Sequence, residues 1–253
     1  MQTNNLYDIY YWPDDPQSER GKKYLEETIS YFKLLLTNYS LPAQFLDKEE
    51  LNVLEICAGS GYGSLAFSSL FPNKKINVLI TDKRDLLMES ARLSAMLEIN
   101  NSSFKKLEAL KISELNKKFD VIIMYGLSTP HFPPKEIIKL YSTIKESLTF
   151  DGVFIVQEMD RRKVMFLDGN YYKKAFAEGY GERLISEEKN YNIEDGMIER
   201  EYYSEKDPSK RVSTKSFFWS IAETDALLSL FWNKVEKVSL GGDKFFLLAS
   251  EMN

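Results

Sequence analysis

Three carboxylates stand at the ends of three apolar runs. Glu55 lies near the end of the run from Val53 to Cys57, Asp82 follows the run 76–81, and Glu108 follows the run 104–107. Just past Glu55 come three alternate glycines, Gly59, Gly61 and Gly63. A residue without Cβ adopts positive φ at little cost, so glycines spaced this way mark backbone that turns sharply or lets a ligand approach closely. Glu55 sits inside an expected buried strand, where an unpaired charge is expensive, so it requires a partner. His131 is the single histidine and Cys57 the single cysteine. That excludes an intrachain disulfide and a zinc site of the four-ligand Cys/His kind, and no metal is expected.

The elements that must position these residues follow from periodicity. Leu25, Ile29, Phe32, Leu35 and Leu36 fall at helical spacing between Gly21 and Leu41, and Pro42 closes that helix. Val53 to Cys57, Ile76 to Thr81, Phe104 to Leu107, Phe119 to Tyr125 and Val153 to Gln157 read as strands. Helices are expected at 64–71, 85–99 and 133–148 between them, and a turn at Phe150-Asp151-Gly152. This alternation predicts a doubly wound α/β fold with a mostly parallel sheet covered by helices on both faces. Residues 161–216 break the pattern. They are rich in charge and tyrosine and alternate around Glu194-Asp195-Gly196, so they read as a small antiparallel insertion. A helix at 223–232 and strands at 234–240 and 244–250 then return to the core. The expected organisation is 1–160 for an N-terminal helical cap and the main ligand-binding part, 161–216 for an insertion or acceptor lid, and 217–253 for elements completing the sheet.

In an open parallel sheet the carboxyl ends of the strands face one crevice, where such folds bind ligands. Glu55, Asp82 and Glu108 make that crevice acidic. A pyrophosphate at the glycine loop would sit beside Glu55, and the dinucleotide pattern G-x-G-x-x-G fails because its third glycine falls on Ser64. Asp82 could hold ribose hydroxyls in either kind of ligand. A ligand with a ribose, an ammonium and a second positive centre fits the three acids better.

On these residues the sequence resembles the class I S-adenosylmethionine-dependent methyltransferases. Glu55-Ile-Cys-Ala-Gly-Ser-Gly is similar to the family's first motif, with Cys57 standing where the family loop has its first glycine. Thr81-Asp82 with Leu87 to Arg92, Glu108-Ala109, Phe119 to Ile122, and Leu148 to Phe154 resemble the later strand ends and approaches. The resemblance implies a seven-stranded Rossmann-like sheet and S-adenosyl-L-methionine as cofactor. It also implies roles. Gly59 and Gly61, with Cys57, Ala58 and Ser60 of the same loop, would hold the methionine end, and Glu55 would face its ammonium. Asp82 would accept from both ribose hydroxyls, and Lys83 and Leu87 would flank the adenine with their stems. Glu108 would take the adenine amino group, Ala109 would offer a backbone N–H, and Tyr125 and Gly126 would lie beside the sulfonium.

Methyl transfer is an in-line displacement in which positioning dominates. His131, six residues past Tyr125 at the end of Phe119 to Tyr125, is the candidate base, because an imidazole titrates near neutrality. The aromatic cluster Tyr7, Tyr10, Tyr11 and Trp12, together with His131, is the candidate substrate-binding set. A net charge of −5 disfavours nucleic acid, and a small or medium organic acceptor is the expected partner. The N-terminus lacks the basic start and apolar stretch of a signal peptide, and no apolar run reaches the ~20 residues of a bilayer span, so a cytoplasmic location is expected. Oligomeric state is open. Two other functions fit the same residues: a nicotinamide-dependent oxidoreductase, and a partner subunit that binds the cofactor without catalysis.

Overall fold

A computed structural model describes residues 6–9, 12–38, 45, 47–167, 174–179 and 182–252. Two compact units divide the chain. One comprises Pro13–Ser128, Ile138–Glu158 and Ile221–Asn253, and the other Met1–Trp12, Thr129–Ile137 and Met159–Ser220.

The first unit is built on a seven-stranded sheet. Its strands are β1 (Glu50–Glu55), β2 (Lys75–Asp82), β3 (Ser102–Lys106), β4 (Phe119–Met124), β5 (Leu148–Met159), β10 (Trp232–Gly241) and β11 (Lys244–Met252). They lie in the order β10-β11-β5-β4-β1-β2-β3. The pairs β1–β2, β2–β3, β1–β4 and β4–β5 are parallel, and β10–β11 is antiparallel. The strand order reverses between β1 and β4, and that reversal opens a crevice at the carboxyl ends of these two strands.

All six residues of β4 are buried, as expected of a central strand with helices on both faces. Its side chains alternate between two aromatic layers. Val121 and Ile123 join the core cluster of α2 (Glu19–Asn38) and α3 (Tyr62–Ser69), where the Phe32 ring lies 5.7 Å from Phe67 and 4.9 Å from Phe246. A second aromatic layer joins Tyr141 of α5 (Pro134–Ser147), Phe154 and Trp232, with 5.7 Å between the first two rings and 5.9 Å between the last two. Helix α2 starts at a Ser18 cap, whose hydroxyl accepts from the Gly21 N–H at 3.0 Å. Gly21 is obligatory, because a Cβ there would lie 2.1 Å from the Asp15 carbonyl oxygen.

The turn expected at 150–152 is absent, and β5 runs continuously through it. Phe119 pairs with Leu148, but Val121 pairs with Val153, so the extra residues of β5 form a bulge. Phe150 at its crest is 90% exposed. Lys48 cinches the bulge by pairing with Asp120 at 2.6 Å and Asp151 at 3.1 Å. The end expected for α2 at Pro42 falls outside the described residues.

The second unit holds an antiparallel sheet ordered β6-β7-β8-β9, formed by Lys174–Gly179, Glu182–Tyr191, Ile198–Ser204 and Arg211–Ser216. The expected turn at Glu194-Asp195-Gly196 is present between β7 and β8. Gly196 has φ +70°, and a Cβ there would lie 2.6 Å from the Phe217 ring. A short helix α6 (Arg161–Leu167) leads in from β5. Helix α1 (Leu6–Ile9) packs on β8 and β9. The segment after β4 is tied to the same unit, because the Phe217 N–H donates to the Pro130 carbonyl at 2.9 Å and the Trp219 indole to the Phe132 carbonyl at 3.3 Å. No described helix is long and apolar enough to cross a membrane.

Candidate active site

The loop after β1 turns through left-handed backbone at alternate residues: φ is +52° at Cys57, +55° at Gly59 and +90° at Gly61. Two glycines take that conformation without penalty, whereas Cys57 takes it at a cost. The loop is stitched to β2. The Ala58 N–H donates to the Thr81 carbonyl at 3.0 Å, and the Gly59 N–H donates to Asp82 Oδ2 at 2.7 Å. Asp82, at the end of β2, is 6% exposed. Its other oxygen, Oδ1, accepts from the Arg84 backbone N–H at 2.8 Å and from Arg84 Nε at 3.3 Å. The Arg84 guanidinium continues to Asp14, with Nη1 2.9 Å from Asp14 Oδ2. Ser60 Oγ donates to the Asp14 carbonyl at 2.8 Å. Gly59, Ser60, Asp82, Arg84 and Asp14 therefore form one cluster beside the glycine loop.

Glu55 has a different setting. It is fully buried, and it turns beneath the first turn of α3. Oε1 accepts from the Gly63 N–H at 3.1 Å, while Oε2 accepts from the Ser64 N–H and the Ser64 hydroxyl, both at 2.6 Å. These donors fit a carboxylate at a helix N-terminus. Burial nevertheless raises its pKa to about 7, with the Ser64 and Gly63 hydrogen bonds opposing and Asp82 adding to the rise. Cys57, half-buried, is pushed up to about 12, chiefly by desolvation, which disfavours the thiolate.

Tyr125 and Gly126 follow β4. The Tyr125 hydroxyl shares a 2.9 Å hydrogen bond with Thr28 of α2, and its ring lies among Tyr24, Phe32 and Phe246. Gly126 (φ +88°) and Leu127 (φ +59°) carry consecutive left-handed backbone, and the Gly126 N–H donates to Gln157 Oε1 at 3.0 Å.

Residues 53–152 match the family model described as a methyltransferase domain. Residues 53–152 are thus a methyltransferase domain, and its methyl donor is S-adenosyl-L-methionine. Among solved structures, the PH0226 protein from Pyrococcus horikoshii OT3 is similar at 19% identity and a TM-score of 0.66, over 98% of this chain and 99% of that one. An S-adenosylmethionine-dependent methyltransferase from Clostridium acetobutylicum is similar at 14% identity and TM-score 0.59, over 91% of this chain and 100% of its own. CalS10, an amino pentose methyltransferase from Micromonospora echinaspora solved with S-adenosylmethionine bound, is similar at 12% and 0.57, over 91% and 93%. At these identities the likeness is one of fold. No curated protein matches the sequence.

The residues of this methyltransferase fit its cofactor. The loop carries glycine at two of its three left-handed positions, and the Asp82 carboxylate stands against it. At the start of α4 (Leu87–Met96), Leu87 is 55% exposed and Met88 64% exposed, which leaves an apolar flank next to Asp82 in sequence. Lys83 is exposed. Glu108 is exposed after β3 and pairs with Lys111 at 3.2 Å, and Ala109 is buried at the start of a short 3₁₀ helix. His131 is exposed at the end of another short helix, Thr129–His131, and belongs to the second unit of the methyltransferase. Tyr7 and Trp12 belong to that unit too, with their rings edge-to-face at 6.3 Å. Tyr10 and Tyr11 lie outside the described residues. Among the described residues no group of His, Cys, Asp and Glu is placed to hold a metal ion. Sequence reasoning did not single out Asp14, Arg84 or Ser64. Arg84 had a usable signal, since a residue two positions after an Asp commonly donates its N–H back to that carboxylate. Asp14 had none, because it comes from a segment without periodicity.

Proposed function

We propose that this methyltransferase acts on a small or medium organic acceptor. The relative CalS10 is an amino pentose methyltransferase, and the formal net charge of −5 gives no broad attraction to nucleic acid. Bound S-adenosylmethionine supplies an electrophilic methyl on a sulfonium. The chain's own task is to hold donor and acceptor in line and to exclude water. The observation carrying this reading is the 2.7 Å bond between the Gly59 N–H and Asp82 Oδ2, which fixes a carboxylate against a glycine loop at the strand-order reversal.

In this reading Gly59, Ser60 and Gly61, with Cys57 and Ala58, cradle the methionine end, and Asp82 grips the ribose. Lys83, Leu87, Glu108 and Ala109 surround the adenine, and Tyr125 and Gly126 border the sulfonium. Glu55 acts at one remove, by fixing the start of α3 and hence the loop. The unit of Tyr7, Trp12 and His131, whose sheet spans most of 161–216, supplies acceptor specificity, and His131 takes the acceptor proton where one must leave. The enzyme works in the cytoplasm.

The test is transfer of labelled methyl from S-adenosylmethionine to a cell extract fractionated into protein, RNA and small molecules. Label is expected in the small-molecule fraction, and label confined to protein or RNA would refute the acceptor class. Asp82→Ala is expected to abolish labelling, and His131→Ala to lower kcat by about 10²- to 10⁴-fold.

A further inference from the structure

Asp82 has less acceptor capacity to spare than its position suggests. An ionised carboxylate offers about four acceptor positions. Among the described residues three are filled: Oδ1 takes the Arg84 backbone N–H at 2.8 Å and Arg84 Nε at 3.3 Å, and Oδ2 takes the Gly59 N–H at 2.7 Å. One position is left, on Oδ2. A ribose diol presents two adjacent hydroxyls, and a two-point grip needs both carboxylate oxygens.

Arg84 is not loosely placed. Its fork meets Asp14, with Nη1 to Oδ2 at 2.9 Å and Nη2 to Oδ1 at 3.4 Å, a geometry that fixes the guanidinium plane. Asp14 is itself anchored through its carbonyl to Ser60. Side-chain exposures of 16% for Arg84 and 7% for Asp82 keep water from competing freely. A Cβ on Gly59 would lie 3.2 Å from Arg84 Nη2 and 3.6 Å from Asp14 Oδ1, so the pair runs along the glycine loop itself.

We propose that Arg84, held by Asp14, is a specificity-determining residue that restricts Asp82 to a one-point grip on the cofactor ribose. The inference rests on the cofactor site argued above. It makes the two ribose hydroxyls unequal: one is bound by the remaining position on Oδ2, and the other is not bound by Asp82.

Calorimetric titration with S-adenosylhomocysteine and its 2′-deoxy and 3′-deoxy analogues tests this. In the wild type one analogue is expected to bind about tenfold to a hundredfold more weakly than the parent, and the other within about threefold. In Arg84→Ala a position on Oδ1 is freed, and the two analogues are expected to come within about threefold of each other. Arg84→Lys is expected to behave alike, because an ammonium cannot reproduce the Nε donation and the fork together. Asp14→Asn is expected to narrow the difference by loosening the guanidinium. A purely structural role would weaken all three ligands by one factor and leave their ratios unchanged.

Equal penalties for both analogues in the wild type would overturn the proposal, as would an unchanged ratio in Arg84→Lys and Asp14→Asn, the variants that carry the test if Arg84→Ala does not fold. A wild type that fails to bind S-adenosylhomocysteine at all would instead overturn the cofactor site, and the proposal with it.

Discussion

Glu55 serves the glycine loop from below, through the donors that begin α3, and its burial has a thermodynamic consequence. Its folded-state pKa of about 7 lies above the ordinary 4.5, so between these values the folded protein keeps a proton that the unfolded chain has released. Stability from this group is present below about pH 4.5 and is lost as pH rises towards 7, by a few kcal/mol at most. Glu55→Gln removes the titration and turns an NH₂ towards one of three donors, at an expected cost of about 1–3 kcal/mol. Urea midpoints should therefore show the wild type ahead at pH 5 and the gap narrowing by pH 7.5. A gap that widens would show the charged form to be the favoured one. Cys57 gives a second residue-scale prediction. It holds φ +52° in the buried loop, a conformation in which glycine is favoured over a residue bearing Cβ. Cys57→Gly should be more stable than Cys57→Ala by about 1 kcal/mol in the same denaturation assay.

At the scale of elements, the site depends on how closely α3 approaches the sheet. Gly63 sets that distance, because a Cβ there would lie 2.6 Å from Glu55 Oε1 and 2.7 Å from the Tyr125 Cβ, at the ends of β1 and β4. Gly63→Ala must push α3 outward or displace Glu55. It is expected to cost about 1–3 kcal/mol and to weaken S-adenosylhomocysteine binding, read by melting temperature and titration. A variant as stable and as tight-binding as the wild type would show that α3 can yield. The sequence made β1, β2 and β4 legible because buried parallel strands are continuous apolar runs, and with them Glu55 and Asp82 at their ends. It misplaced the junction at 150–152, where Phe150-Asp151-Gly152 has the composition of a turn. There the pairing of Lys48 with Asp120 and Asp151, contributed from across the sheet, holds those residues as a bulge. Helix α6 was also missed, since its seven residues are too few for a periodic signal. Asp14 and Arg84 lay beyond reach for a related reason: their meeting is a contact between a loop and a strand end 70 residues apart.

At the scale of the whole molecule, the residues assigned to the cofactor and those assigned to the acceptor divide between the two units. Glu55, the glycine loop, Asp82, Glu108 and Tyr125 lie in the first, while Tyr7, Trp12 and His131 lie in the second. A ligand that binds only the folded state adds RT ln(1 + [L]/Kd), about 2.7 kcal/mol at a hundred times Kd, to every opening that destroys its site. Amides whose exchange requires such an opening slow by about the same hundredfold, and amides that exchange through an independent opening do not. Hydrogen exchange with saturating S-adenosylhomocysteine should therefore slow in β1, β2, β4 and at Gly59, Gly61 and Arg84. Exchange in β1, β2 and β4 that the ligand leaves unchanged would place its site elsewhere and refute the assignment of Asp82 and the glycine loop to the cofactor.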